Sequence, residues 1–198
     1  NAIRRFAELK LAKIVAEKKI AGMIVLDGNL QATITNENRH LDELYNLCNK
    51  NNVILTALGK TTSLFTDDGS LLSVVLGNMG AFPTWFYYPV AGINSPSHRA
   101  EMFFVKLHNK SKHIFRFEIF NGQKENSGEA ISALACNCID PIFIGYPYGL
   151  VEADRISRIS NSEKGSLKTI FLAKLGNKNI EKHLSSVNAH EILDRISF

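Results

Sequence analysis

Two short apolar runs with one amphipathic stretch between them constrain this chain most. Met23-Ile-Val-Leu26 ends in Asp27-Gly28, and Val53-Ile-Leu-Thr-Ala-Leu58 ends in Gly59-Lys60-Thr61-Thr62. Neither run alternates apolar with polar residues, and continuous apolar strands are those covered on both faces. Between them Leu41, Leu44, Tyr45, Leu47 and Cys48 recur at helical spacing, which predicts a helix over residues 40–51. Strand, helix and strand in that order form the rhythm of a parallel βαβ unit, so an α/β sheet is expected.

The flanking segments extend this reading. Ile3, Phe6, Ala7, Leu11, Ile14 and Val15 predict an amphipathic helix over residues 2–19, with its apolar stripe turned to the core. Asp67-Asp-Gly-Ser70 is placed to cap a short helix over 71–76, and the aromatic run Trp85–Tyr88 is expected to be extended. Residues 101–108 and 113–120 read as strands joined by Asn109-Lys-Ser-Lys112, a hairpin that makes the sheet mixed. After a polar turn at 121–127, helices are expected over 128–138, 149–159, 161–175 and 188–196, the third stopped by Gly176-Asn177.

A chain of 198 residues is long enough for one domain, 1–198, with a sizeable core. Its 45% apolar and 21% charged content is that of a soluble globular protein, and no apolar run approaches the roughly 20 residues of a membrane span. The start, Asn1-Ala-Ile-Arg-Arg, lacks a signal-peptide shape. Cys48, Cys136 and Cys138 are odd in number and make no disulfide framework, so a reducing, cytoplasmic setting without a membrane is expected. The net charge of +4 permits contact with a polyanion but does not argue for one, since the basic residues are scattered.

Asp27 is the strongest single candidate for chemistry. An Asp that closes a buried strand ahead of a Gly either holds a hard cation at the sheet edge or binds its own turn. Glu8 borders the apolar stripe of the first helix and suits either a metal or a salt bridge. Tyr146 stands where Gly145-Tyr-Pro-Tyr-Gly149 joins an apolar run to a helix, with Asp154 about two turns further on. Asp154 either faces a cleft or pairs with Arg158 at i+4. Lys60 and Arg155 are placed to meet phosphates, Lys60 because ligands of open α/β sheets collect at strand ends. Leu58-Gly-Lys-Thr-Thr62 lacks the first Gly of a P-loop, and no G-x-S-x-G elbow occurs. Asp140 and Glu118 are further candidate ligands, but Asp140 before Pro141 reads more readily as a turn starter, and Glu118 between Phe117 and Ile119 as an outward residue or a partner of Arg116.

Taken together, Ala7-Glu-Leu-Lys10, Val25-Leu-Asp-Gly-Asn-Leu30, Ala57-Leu-Gly-Lys-Thr-Thr62, Phe104-Val-Lys-Leu-His108, Phe115-Arg-Phe-Glu118, Gly145-Tyr-Pro-Tyr-Gly-Leu-Val-Glu-Ala-Asp154 and Asn188-Ala-His-Glu-Ile-Leu-Asp194 resemble, in order, the C-terminal portion of a NurA-type nuclease domain. The resemblance implies an RNase H-like mixed sheet flanked by helices. It also implies a Mn²⁺-dependent (or Mg²⁺-dependent) DNA nuclease with 5′ to 3′ exonuclease and single-strand endonuclease activity in DNA-end resection. Such nucleases work as homodimers with a HerA-type hexameric ATPase. By position, Glu8, Asp27 and Asp154 match metal ligands, the last where many members carry His, and Tyr146 matches the catalytic Tyr. The family's first catalytic Asp belongs to an earlier strand. These residues are therefore expected to lack the first strands and part of the metal site. The alternative is a catalytically incomplete module that binds the ATPase or DNA.

Overall fold

The crossover from β1 (Met23–Asp27) through α2 (Glu37–Asn51) leaves β2 (Ile54–Gly59) parallel to β1, with Met23 opposite Ile54 and Asp27 opposite Leu58. This is a computed structural model, and it describes residues 2–60, 62–79, 82–92 and 95–175. β3 (Trp85–Tyr87), β4 (Ala100–Lys106) and β5 (Phe115–Phe120) form an antiparallel meander, and β5 pairs antiparallel with β2. The result is a five-stranded mixed sheet of order β1-β2-β5-β4-β3.

Strand alternation divides the core between the two faces of this sheet. Ile24, Leu26, Leu55, Ala57 and Phe120 pack with Leu9, Ala12 and Ala16 of α1 (Ala2–Glu17) and with Leu41, Leu44 and Tyr45 of α2. Leu58, Phe103, Val105, Phe117 and Ile119 pack with Ala130, Ile131 and Leu134 of α4 (Ser127–Cys136) and with Tyr146. Between β2 and β3 in the chain lies α3 (Leu72–Met79), which buries Leu76 and starts after a turn in which Asp68 accepts a hydrogen bond from the Ser70 N–H. Helix α3 runs further than the 71–76 expected.

Helix α1 forms where its periodicity predicts, but with a different face inward. Leu9, Ala12 and Ala16 are buried, while Ile3, Leu11 and Ile14 are exposed and Phe6 and Val15 half-buried. The helix carries apolar residues on more than one side, and the face with two alanines lets α2 approach closely. Helix α2 starts at Glu37, earlier than residue 40. The Glu37 carboxylate accepts hydrogen bonds from the Thr33 and Ile34 N–H groups, which organises the turn before it.

The β4–β5 connection is longer than the four-residue hairpin expected, because the strands end at Lys106 and resume at Phe115. Within it Leu107 and Ser111 are buried, so this segment packs inward instead of turning in solvent. Residues 121–126 form a 3₁₀ turn that carries Gln123 into the core. The Gln123 amide donates to the Val53 carbonyl (2.8 Å) and accepts from the Leu55 N–H (2.9 Å), satisfying the start of β2. Gln123→Ala leaves both backbone groups unpaired in the core. It is expected to cost about 2–3 kcal/mol, measured by urea denaturation.

The chain divides into two units, Asn1–Ala153 and Asp154–Phe198. Helix α5 (Tyr148–Ser157) ends in the second unit, and α6 (Asn161–Leu175) begins there as predicted. Ser160 and Glu163 exchange side-chain and backbone hydrogen bonds across its first turn, a capping box. The helix expected over 188–196 and the Gly176-Asn177 stop lie outside the described residues. No helix among the described residues is long and apolar enough to cross a membrane.

Candidate functional site

The parallel strands β1 and β2 end side by side, and two glycines let them close together. Gly28 turns the chain at φ +126°, and its N–H donates to the Leu58 carbonyl (3.1 Å). A Cβ on Gly59 would stand 3.2 Å from the Gly28 carbonyl oxygen, so a side chain there would push the strand ends apart. Asp27 follows Met23 and Val25 in alternation and emerges on the α4 side of the sheet. Lys60 extends β2 beside it, and its Nζ donates to Asp27 Oδ2 at 3.0 Å. The Tyr146 hydroxyl donates to Asp27 Oδ1 at 3.4 Å, and Lys60 Nζ lies 5.4 Å from the centre of the Tyr146 ring. These three residues, distant in the chain, therefore meet.

Tyr146 is held from behind. Its ring is buried, stacked on Phe143 with centroids 4.9 Å apart and tilted against Phe115 at 5.3 Å, so only the phenolic end reaches Asp27. Asp140 starts the 3₁₀ turn Pro141–Phe143 by accepting from the Ile142 N–H, the turn role read from sequence. Asp27 and Lys60 are each nearly half exposed (49% and 41%), and an ion pair so wetted adds little to stability. Their pairing leaves a carboxylate and an ammonium accessible to a ligand. A pocket of about 290 Å³ opens here, lined by Asp27, Gly28, Asn29, Gly59, Lys60 and Arg116.

Glu8 joins the edge of this constellation through Arg5. Arg5 Nη1 bonds Glu8 at 3.0 Å, its Nε bonds Glu37 at 2.7 Å, and its Nη2 donates to the Asn29 carbonyl at 2.8 Å. One guanidinium thus ties the helix carboxylate to the turn that follows Asp27. Burial opposes ionisation of Glu37, but the Arg5 guanidinium and the Thr33 and Ile34 N–H groups outweigh it and hold its carboxyl below the usual range.

Sequence reasoning named a partner for Glu118 but not its depth. Glu118 is fully buried and is neither outward nor solvated. Its Oε2 accepts from the Leu30 N–H at 2.7 Å and its Oε1 from Arg116 Nε at 2.6 Å, the Arg116 pairing that was one of its two expected roles. His98 Nε2 stands 3.0 Å from Oε2 but lacks the alignment of a hydrogen bond. The signal was a charged residue inside the apolar run Phe115–Phe120. Burial pushes the Glu118 carboxyl up, yet His98, Arg116 and the Leu30 N–H together hold it below its usual value. Because Glu37 and Glu118 are both lowered in the fold, the stability they contribute is complete above their unfolded pKa. It is lost as pH falls through the folded values. Urea midpoints measured from pH 7 to pH 3 are expected to fall steeply on the acid side, with a shallower fall in Glu118→Gln.

Asp154 lies in the second unit, where it pairs with Arg158 Nη2 at 2.6 Å, the i+4 contact that its spacing allowed. Arg155 lies on the same helix. Among the described residues, no three His, Cys, Asp or Glu side chains form a group that could hold a metal. Asp27 and Glu8 supply hard carboxylate oxygens of the type that Mg²⁺ and Mn²⁺ prefer, each with a cationic side chain beside it.

No family model and no curated protein matches the chain. Among solved structures, the crystal structure of the NurA nuclease from Sulfolobus solfataricus is similar, with a TM-score of 0.57 and 17% sequence identity. The match covers 87% of this chain and 66% of that one, so this chain spans a little under two thirds of the length of that nuclease. The likeness is one of fold: an α/β, NurA-type mixed sheet flanked by helices.

Proposed function

We propose that this chain is the C-terminal portion of a NurA-type DNA nuclease, a phosphodiester hydrolase that uses Mn²⁺ or Mg²⁺. The observation that carries this reading is Asp27, held at the end of a parallel strand between the Lys60 ammonium and the Tyr146 hydroxyl, at a pocket that Lys60 and Arg116 also line. The NurA-type fold supplies the context. Asp27 and Glu8 would hold the divalent cation. When bound, such a cation activates water and offsets the charge that develops on a phosphodiester.

The chain's own residues divide the remaining work. Lys60 neutralises a backbone phosphate without reading its base. The Tyr146 hydroxyl, fixed by its stacked ring, orients Asp27 and can donate to a phosphate oxygen. Arg5 holds Glu8 against the turn after Asp27, and Gly28 and Gly59 bring a strand's phosphate close to backbone. In this reading the protein degrades DNA 5′ to 3′ and cuts single strands during end resection at double-strand breaks. It acts in the cytoplasm as a homodimer with a HerA-type ATPase.

One observation favours a second reading. Among the described residues Asp27 and Glu8 each have a cationic partner and no third acid completes a ligand group. A module that binds DNA or the ATPase without cutting would look the same. Degradation of end-labelled single- and double-stranded DNA by the full-length protein, with Mn²⁺ and with or without the ATPase, separates the two. Mn²⁺-dependent shortening supports the nuclease. Retention of DNA without shortening under every condition selects the module.

A further inference from the structure

We infer that Arg116 is a phosphate-binding residue of the Asp27–Lys60 pocket, and that buried Glu118 is the positioning residue that aims it. The inference deepens the nuclease reading and rests on it for the identity of the ligand, a phosphate of a nucleic-acid strand.

The geometry is specific. Arg116 lies opposite Gly59 in the β2–β5 ladder, so its backbone is fixed beside the residue before Lys60. Its side chain is only 15% exposed and lines the pocket together with Lys60 and the backbone of Gly28 and Gly59. The Nε and Nη2 edge of its guanidinium engages Glu118, while Nη1 has no partner among the described residues. A guanidinium is a rigid planar fork, so fixing one edge also fixes the direction of the other. Glu118 in turn accepts from the Leu30 N–H, and the Tyr45 hydroxyl donates to the Leu30 carbonyl (3.1 Å). The same carboxylate therefore sets both the Arg116 fork and the Gly28–Leu30 turn that forms the opposite wall.

Charge supports an anion here. Asp27 has Lys60 as its counter-ion and Glu118 has Arg116, so the pocket itself is close to neutral. Asp27 accepts from Lys60 and Tyr146, while Lys60 stays partly exposed and Arg116 Nη1 is unengaged among the described residues, so both cations keep donors for an anion without a bound metal. Lys60 and Arg116 both line this pocket of about 290 Å³, and their N–H donors suit one tetrahedral phosphate better than a base. Contacts to a phosphate position a strand and do not read its sequence.

The full chain is tested in EDTA, where binding needs no cleavage. A labelled thymidylate oligonucleotide and inorganic phosphate are the two probes. The Arg116 Nε–H and the Gly28, Gly59 and Lys60 amide signals are followed by NMR. Oligonucleotide is expected to shift these signals. If only inorganic phosphate moves them, or neither probe does, the assignment is overturned. Arg116→Gln combined with Glu118→Gln removes both charges, keeps net charge unchanged and leaves no buried ion unpaired. It is expected to weaken oligonucleotide binding about tenfold and to reduce the magnitude of the salt slope by about 0.7. Glu118→Gln alone is expected to lower the melting temperature, since ionised Glu118 stabilises the fold at neutral pH. Measured well below that temperature, it is expected to weaken binding while the slope is kept, and unaltered affinity would leave Glu118 a purely structural role. Unaltered affinity and slope in the double variant overturn the inference. Binding that follows these expectations without any Mn²⁺-dependent cleavage would sink the nuclease reading and leave the phosphate site standing.

Discussion

Gly145→Ala is expected to destabilise the protein by about 4 kcal/mol, lowering its melting temperature by roughly 10 °C. Two independent causes act together. Gly145 has φ +91°, in the left-handed region that a Cβ disfavours. A Cβ built there would also stand 2.3 Å from both Cβ and Oγ of Ser111. Ser111 is buried and its hydroxyl accepts a hydrogen bond from the His113 N–H (3.1 Å), so it has little room to retreat. The clash falls between the β4–β5 connection and the segment that carries Tyr146, and it would lift the tyrosine away from Asp27. Thermal unfolding of Gly145→Ala, Ser111→Gly and the double variant separates the causes. The double variant is expected to recover part of the loss, because it removes the contact and keeps the backbone strain. A loss below about 1 kcal/mol in the single variant would mean that the two segments do not pack as described.

The parts of this architecture that repeat at short range were legible in the chain. Met23–Asp27, the helix before Val53 and the run to Gly59 gave a parallel pair because apolar continuity and helical spacing are local signals. Phe103, Val105, Phe115 and Phe117 likewise marked an antiparallel pair. Which face of α1 turns inward was not legible. Its stripes compete, and the choice depends on how closely α2 can approach Ala12 and Ala16. The fixed length of the β4–β5 connection was also hidden, since it depends on Gly145 arriving from a distant part of the chain to cover Ser111.

The site divides along the same line. Asp27 and Lys60 could be placed because each ends a strand and strand ends of a parallel pair are neighbours. Tyr146 could be placed only through resemblance, since nothing between residues 60 and 146 states that its hydroxyl returns to Asp27. Arg5 escaped notice, and the depth of Glu118 was hidden, for an opposite reason. A buried charge has meaning only once its partners are known, and theirs come from three separate segments: Glu37, the Asn29-Leu30 turn and Arg116.

Asp27→Asn should separate chemistry from stability more sharply than any other substitution. The side chain is 49% exposed and its ion pair with Lys60 is solvent-screened, so the melting temperature is expected to move by no more than about 2–4 °C. The effect on Mn²⁺-dependent cleavage is expected to be at least about a hundredfold, because a carboxylate that holds a cation contributes several kcal/mol of charge stabilisation. Asn keeps the size and one oxygen but loses the charge, so the variant tests the charge and not the turn. Lys60→Ala provides the contrast. It should weaken DNA binding and leave the maximal rate closer to the parent, since in the proposed reading Lys60 would neutralise phosphate and not hold the cation. If Asp27→Asn cuts DNA with Mn²⁺ as fast as the parent, the carboxylate serves only its turn and Lys60. The catalytic group must then be sought elsewhere in the full-length protein. If both variants lose binding equally and neither parent nor variant cuts, Asp27 and Lys60 act as one recognition element, and the module is the better account of this pocket.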